Sequence, residues 1–170
     1  MAIVQKYNDN VMLWNGNVMT TSYVSIIPYK RAFLWPDANS DGLGDGWTAS
    51  AGAGSRSIVT GNGFSGRAQR FEHVAGTTTQ TIYYTGITAI AGKTYIVKGK
   101  FRAGHTLWRI YLRSSSDWFT LSMGARTGDA GAFAFSVVAA GSTEIILNFL
   151  RVNAAVTSWL EVDEIELYKS

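Results

Sequence analysis

The chain has 170 residues, of which 46% are hydrophobic and 16% are charged, and its formal net charge at pH 7 is +3. This length suits one domain with a real core, and the mild, unclustered charge argues against a nucleic-acid partner. The sequence has no cysteine, which excludes disulfides, thiol nucleophiles and thiolate metal sites. Neither a signal peptide nor a long apolar span is recognisable, so we expect synthesis in a cytoplasm and no membrane insertion.

Residues 1–36 are interpreted as an apolar arm. Asn15 and Gly16 separate two short apolar runs, and this dipeptide favours the type I′ turn of a β-hairpin, which needs positive φ at both positions. We predict that the extended, hairpin-forming arm attaches the protein to a partner or to another copy of itself. The side chains expected to make that attachment are Met12, Trp14, Val18 and Tyr23.

Residues 37–47 are rich in aspartate and glycine. The spacing of an EF-hand-like calcium loop is matched at positions 1, 3, 5 and 9 by Asp37, Asn39, Asp41 and Asp45. Position 12, where such a loop has a glutamate, is Thr48. The segment is therefore either a calcium site or a turn whose side chains bind local backbone N–H groups. No cofactor follows with certainty, and structural calcium is the one left open.

From Trp47 onward, strand-like patterns recur about every ten residues, with glycines between them and no helical period. This spacing is typical of an antiparallel β-sandwich or barrel. We predict strands at residues 55–60, 68–73, 80–85, 94–103, 107–114, 118–123, 132–138, 144–152 and 158–168.

Two of these strands have a clear alternation, which assigns their side chains to opposite faces. Core positions are predicted at Tyr95, Val97, Phe101, Trp108, Ile110 and Leu112. If the two strands are neighbours, their other faces form one basic and aromatic surface that binds a glycan, forms a protein interface or is simply a solvated face of the sheet. Its predicted members are Lys98, Lys100, Arg102, Arg109, Tyr111 and Arg113, with Trp118 as a further platform.

Four segments together resemble jelly-roll carbohydrate-binding modules: 41–47 (DGLGDGW), 63–66 (GFSG), 92–103 (GKTYIVKGKFRA) and 159–168 (WLEVDEIELY). The resemblance covers roughly residues 37–169. It implies a galactose-binding-like jelly roll of two antiparallel sheets, often with one structural calcium and with a glycan cleft on the concave face. Such modules often use an aspartate of the last strand for calcium, which is Asp163 here. The alternative role for Asp163 is a carboxylate at a β-bulge, because the alternation of apolar residues shifts there.

The acidic last strand raises the question of catalysis. Its carboxylates, Glu161, Asp163, Glu164 and Glu166, have a spacing that a glycosidase pair could use. However, any acidic strand places alternate residues on one face at that spacing. We therefore predict no catalytic residue.

The layout of a short arm followed by a jelly roll resembles accessory proteins of tailed bacteriophages. We predict an all-β protein, with arm 1–36 and an antiparallel jelly-roll β-sandwich at residues 37–170. The expected function is that of a non-enzymatic virion protein, a capsid decoration or fibre-type module made in the cytoplasm of a bacterial host and displayed on the virion surface. Its expected partners are other virion proteins or itself, as a homo-oligomer, and glycans. The alternative is a stand-alone carbohydrate-binding module.

Overall fold

The protein is described by a computed structural model. The described residues are 4–5, 12–14, 17–19, 29–33, 35–50, 54–61, 64, 66–76, 81–105, 108–113, 118–123, 126–141, 144–151 and 155–169. Within these ranges, the backbone alone is described at 4–5, 12–14, 17–19, 29–33, 113, 118–123 and 144–145. No helix in these ranges has the length and apolar character needed to cross a membrane.

The described elements are all β-strands. In chain order they are β1 (Val4–Gln5), β2 (Met12–Trp14), β3 (Asn17–Met19), β4 (Tyr29–Phe33), β5 (Trp47–Ala49), β6 (Arg56–Thr60), β7 (Arg67–His73), β8 (Thr81–Thr88), β9 (Thr94–Ala103), β10 (Trp108–Arg113), β11 (Trp118–Met123), β12 (Arg126–Val138), β13 (Glu144–Arg151) and β14 (Ser158–Lys169). Each strand predicted from the sequence is present, and β9 and β11 have the predicted bounds.

Two antiparallel sheets form the sandwich, which confirms the predicted jelly-roll fold. Among the described residues, one sheet has five strands in the order β11-β10-β13-β8-β5. The other has six, in the order β12-β9-β14-β7-β6, with β4 also paired to β14. We call them the five-stranded and the six-stranded sheet.

A small third sheet contains the predicted hairpin. Strands β2 and β3 pair with Trp14 opposite Asn17, which leaves Asn15 and Gly16 as a two-residue connection. Strand β1 pairs with β2 on its other side. The predicted attachment residues Met12, Trp14 and Val18 lie in these strands, whereas Tyr23 lies outside the described residues.

The end of the predicted arm also contributes to the sandwich. Strand β4 pairs antiparallel with the last half of β14, from Ile165 opposite Phe33 to Lys169 opposite Tyr29. Two residues beyond β4, Trp35 is 3% exposed and belongs to the core. Strand β4 and Trp35 therefore join the body of the molecule, even though they precede the acidic loop.

Aromatic rings occupy the space between the two sheets. The Trp47 ring lies 5.0 Å from that of Trp35 and 5.4 Å from that of Phe149. Phe71 continues the chain of rings, at 6.0 Å from Phe149 and 6.4 Å from Trp108. Each large buried ring of this kind contributes several kcal/mol through burial and ring contact. The loop, the strands of both sheets and the segment before the loop are thereby packed together.

Candidate functional site

The predicted basic face is divided between the two sides of the sandwich. Strand β9 belongs to the six-stranded sheet and β10 to the five-stranded sheet, so the two strands are not neighbours. The expectation of one continuous surface is therefore wrong, because the chain crosses from one sheet to the other between them. Lys98, Lys100 and Arg102 lie on one side of the molecule, and Arg109 and Tyr111 lie on the other.

On the six-stranded sheet, the outer face has a buried ionic network. The side chain of Glu161 is fully buried, and its two carboxylate oxygens accept hydrogen bonds from Arg70 Nη1 at 2.6 Å and Arg102 Nη1 at 2.8 Å. Arg70 also pairs with Glu72 through Nε, at 2.7 Å. Arg102 further donates to two backbone carbonyls, those of Thr127 and Gly128. Both arginines are therefore held by the fold.

Trp159 lies against the same network. The guanidinium carbons of Arg70 and Arg102 are 4.7 Å and 5.4 Å from the centre of its ring. Cation–π contacts of this kind are worth about 0.5–1 kcal/mol each where solvent reaches them. Trp159 thus covers the ion pairs of Glu161 and is not a free aromatic platform.

The two lysines of β9 are also neutralised by β14. Lys98 Nζ lies 2.8 Å from Glu166 Oε2, and the pairing raises the pKa of Lys98, with the Tyr168 hydroxyl contributing. Lys100 Nζ lies 2.9 Å from Glu164 Oε1. All three basic residues predicted on β9 are thus ion-paired to carboxylates of β14, which also places most of the acidic residues of that strand in structural contacts.

The outer face of the five-stranded sheet has a row of aromatic and polar residues where the six-stranded sheet has ion pairs. A row of directly opposed residues crosses four strands, from Thr48 in β5 through Tyr83 and Asn148 to Tyr111 in β10. Thr48 is exposed and Tyr83 half-buried, whereas Asn148 and Tyr111 are only 5% and 7% exposed. Adjacent strands lie about 4.8 Å apart, so the two tyrosines stand roughly 10 Å from each other with an amide between them.

Three polar side chains of this outer face make no hydrogen bond or ion pair with the described residues. Within the described part of the chain, neither a side-chain hydrogen bond nor an ion pair is made by Tyr83, Arg109 or Asn148. A polar side chain that lacks a protein partner is satisfied by solvent or by a ligand. Half-buried Arg109 lies across from Leu150, and no described side chain of the face is a carboxylate. The face therefore offers donors and acceptors that a ligand could use.

Two further predicted members of this face are located by their backbone. Arg113 and Trp118 are directly opposed in the pairing of β10 with β11. Arg113 is two residues beyond Tyr111 on the same strand, so it occupies the same side of the sheet by register. The structure therefore groups these two positions with Arg109 and Tyr111.

The acidic loop is held together by its own side chains. Both carboxylate oxygens of Asp37 accept backbone hydrogen bonds, from the N–H groups of Asp41 at 3.1 Å and Gly42 at 3.0 Å. Asp41 accepts from the Leu43 N–H at 2.8 Å, and Asp45 from the Ala38 N–H at 3.1 Å. These are the contacts of the turn alternative, in which side chains satisfy local backbone donors.

A calcium ion in this loop stays a prediction. Among the described residues, no group of three or more His, Asp and Glu side chains is placed to hold a metal ion. Asn39 accepts from the Asp41 N–H at 3.3 Å and donates to Asp41 Oδ2 at 3.1 Å, so its oxygen also serves the turn. The oxygen-rich side chains therefore fit a turn better than a metal centre.

Gln69 anchors the acidic loop to β7. The sequence patterns did not reveal this buried glutamine. Gln69 is fully buried, and it accepts from the Gly44 N–H at 2.8 Å and donates to the Gly42 carbonyl at 2.8 Å. Gly42 has φ +78°, and a Cβ there would lie 2.4 Å from the Arg56 carbonyl oxygen. No other residue type fits this approach, so the glycine is a packing requirement as well as a turn residue.

Asp163 lies at the predicted β-bulge. The register of β14 against β9 shifts between Asp163 and Glu166, and Glu164 has φ +52°. Asp163 is 8% exposed and accepts a hydrogen bond from Trp35 Nε1 at 3.2 Å. Burial raises its pKa, and hydrogen bonds from the Glu164 backbone and Trp35 oppose that rise. Asp163 thus lies at a bulge and accepts a hydrogen bond there, while its role as a calcium ligand stays a prediction.

A groove of about 840 Å³ lies beside this bulge, where β4 and β7 meet along β14. Its walls include Trp35, Arg67, Ala132, Ala134 and the two ion pairs Lys98–Glu166 and Lys100–Glu164. The lysines and glutamates of those walls neutralise one another. The groove is therefore a concave surface in which most of the charged groups are already paired.

Comparisons with known proteins bear on the fold. The sequence matches no protein-family model and no curated protein. Its fold is similar to that of a tailspike protein 4 domain of bacteriophage CBA120, with a TM-score of 0.60 and 13% identity over 74% of this chain and 20% of that chain. The present chain thus spans about a fifth of that tailspike chain.

Whole carbohydrate-binding modules are also similar. One is TmCBM61 in complex with β-1,4-galactotriose, with a TM-score of 0.58 and 12% identity over 82% of this chain and 99% of that chain. Another is a CBM4 module, with a TM-score of 0.56 and 18% identity over 74% of this chain and 96% of that chain. Other similar folds include carbohydrate-binding modules of families 11 and 22, an arabinofuranosidase and a cyclase from Fischerella. The shared feature is the jelly-roll sandwich, which supports the resemblance found in the sequence.

Proposed function

We propose that this chain is a non-catalytic carbohydrate-binding module and that the outer face of its five-stranded sheet binds the glycan. The observation that carries the proposal is the row of Tyr83, Asn148 and Tyr111 beside Arg109. Small-molecule sites combine apolar or aromatic surface with a few precisely placed polar groups. Half-buried Tyr83 offers ring surface to a sugar unit, and half-buried Arg109 offers guanidinium donors to the hydroxyl or carboxylate groups of the glycan.

The structural neighbours favour the same proposal. Four of the similar structures are carbohydrate-binding modules, and one of these four is bound to a galactotriose. Since some neighbours are enzymes, absence of catalysis needs its own test. Incubating the protein with each glycan that it binds should release no new reducing ends.

Glycan binding is tested by affinity electrophoresis against a panel of neutral and acidic polysaccharides. We expect Tyr83→Ala and Arg109→Ala each to weaken binding about tenfold or more, the loss of about 1.4 kcal/mol or more. The matched control is Arg67→Ala, which removes an exposed arginine that lines the groove of the six-stranded sheet. Loss of binding in the Arg67 variant alone would indicate that the glycan binds in the groove of the six-stranded sheet. If the unaltered protein binds no glycan, the proposal is refuted.

A second candidate function has an observation of its own, the similarity to a bacteriophage tailspike domain. We propose that the module is a virion accessory protein, attached through the arm of residues 1–36 and displayed on the particle surface. The hairpin of β2 and β3 supplies a compact apolar sequence for such a contact. Genes for capsid and tail proteins on either side of this reading frame would support display on a virion, whereas genes for polysaccharide-degrading enzymes would favour the stand-alone module.

A further inference from the structure

Strand β12 is the longest strand of the six-stranded sheet, and the described residues pair with only one of its two sides. Strand β12 has 13 residues and pairs with β9, and no other strand among the described residues pairs with it. A long edge presents a row of unpaired backbone N–H and C=O groups, which attracts another strand unless the sequence prevents it. The edge strands β5 and β6 are much shorter, at three and five residues.

The two halves of β12 differ in how well they are protected against pairing with another strand. The first half contains the charged residues Arg126 and Asp129, and its register against β9 shifts between Arg126 and Gly131. Charges and bulges are the usual devices that keep an edge from pairing. Residues 131–138 (GAFAFSVV) contain no charge and no proline, and they pair with β9 in continuous register. The second half is therefore an edge without such protection.

The outward side chains of this half are small or apolar. Ala132, Ala134 and Ser136 are exposed, and Val138 is 57% exposed. Phe133 and Phe135 face the core instead, at 6% and 8% exposure. A neighbouring strand could therefore continue the sheet with its own apolar side chains on both faces and meet no charge.

We propose that residues 131–138 form a self-association edge, which pairs antiparallel with the same segment of a second copy of this chain. A second copy suits the edge because a two-fold axis closes both identical edges at once. Directly opposed residues must point to the same face of the joined sheet. Setting Phe135 opposite its own copy meets that condition, since Ala134 then faces Ser136 and Ala132 faces Val138. No like charges meet across the pair, and Val138 gains an apolar neighbour.

This pairing leaves the proposed glycan face open, since that face belongs to the five-stranded sheet. One dimer would therefore present two such faces. The association does not depend on glycan binding and can be true or false independently of it.

The test is a charge exchange on the edge, measured by sedimentation and light scattering with the full chain. The unaltered protein is expected at twice its monomer mass of 18.5 kDa in the micromolar range. Ala134→Lys with Ser136→Lys should raise the dimer Kd at least tenfold, because lysines then face lysines, and Ala134→Glu with Ser136→Glu should do the same. An equimolar mixture of the two variants should restore the dimer, since each lysine then faces a glutamate.

Three controls keep the result decisive. Thermal unfolding of each variant shows that its fold is intact, and the single change Ser136→Lys replaces any double variant that does not fold. Ser57→Lys, at an exposed position of edge strand β6 in the same sheet, should leave the dimer unchanged. A monomeric unaltered protein, a dimer that withstands the charged variants, or a mixture that stays monomeric would each overturn the proposal.

Discussion

The outer faces of the two sheets contain similar residue types but differ in how those residues are used. On the six-stranded sheet, Arg70, Arg102, Lys98 and Lys100 each have a carboxylate partner. On the five-stranded sheet, Arg109, Tyr83 and Asn148 have none within the described residues. The residue on the neighbouring strand thus decides whether a basic side chain is held in an ion pair. The arginines and lysines opposite acidic strand β14 are held in place, whereas Arg109 lies opposite Leu150 and has no carboxylate partner among the described residues.

The largest expected effect comes from removing the carboxylate at the centre of the six-stranded face. Glu161→Ala leaves Arg70 and Arg102 without their shared partner, and we expect a loss of about 2–4 kcal/mol in the free energy of unfolding. Urea denaturation measures the loss. The control is Glu72→Ala, which removes an exposed partner of Arg70 and should cost about 1 kcal/mol or less. Equal effects of the two variants would contradict a structural role for the buried network.

The next largest effect is expected at the acidic loop, residues 37–47, which Gln69 anchors to β7. Gln69→Leu leaves the Gly44 N–H and the Gly42 carbonyl without their side-chain partner, and we expect a loss of about 2–3 kcal/mol. The same denaturation curve measures it. A change below about 0.5 kcal/mol would show that the loop is held by its aspartates alone.

Removing the charge of Asp163 should have a smaller effect, and it should raise the stability of the fold. Because its pKa is raised in the folded protein, stability is fully present below the unfolded pKa and is lost as the pH rises through the folded pKa. Asp163→Asn keeps an acceptor for the Trp35 indole and removes the charge. We expect a higher Tm than that of the parent at pH 7, by about 2–4 °C for each kcal/mol gained. The difference in Tm between the variant and the parent should disappear near about pH 3, below the usual pKa of aspartate. A lower Tm at pH 7 would instead indicate that the charge has a partner, such as a bound cation.

Much of the fold could be predicted because it depends on local patterns. Alternation located β9 and β10 and identified Val97 and Ile110 as core residues. The shift in that alternation located the bulge at Asp163, and the Asn15-Gly16 pair located a hairpin. Strands β4 and β5 are only five and three residues long, too short for their alternation to be distinctive.

The candidate site was less predictable because it depends on which strands are neighbours. Alternation indicates which residues share a face of one strand, but it does not reveal that β9 and β10 belong to different sheets. Whether a tryptophan is buried also depends on which strands are neighbours. Trp35, Trp47 and Trp108 are core residues, and Trp159 covers Glu161. Gln69 was missed since a glutamine in a strand pattern has no signature for burial.

The most direct test of the contrast compares two arginines that the sequence alone does not distinguish. Arg102→Ala and Arg109→Ala are each measured for thermal unfolding and for glycan binding by the folded protein. We predict that Arg102→Ala lowers the Tm by at least 3 °C, about 1 kcal/mol or more, with binding unchanged. Arg109→Ala should leave the Tm within about 1 °C and weaken binding about tenfold. The reverse pattern, or equal effects of both variants on both measurements, would contradict the division between a structural face and a binding face.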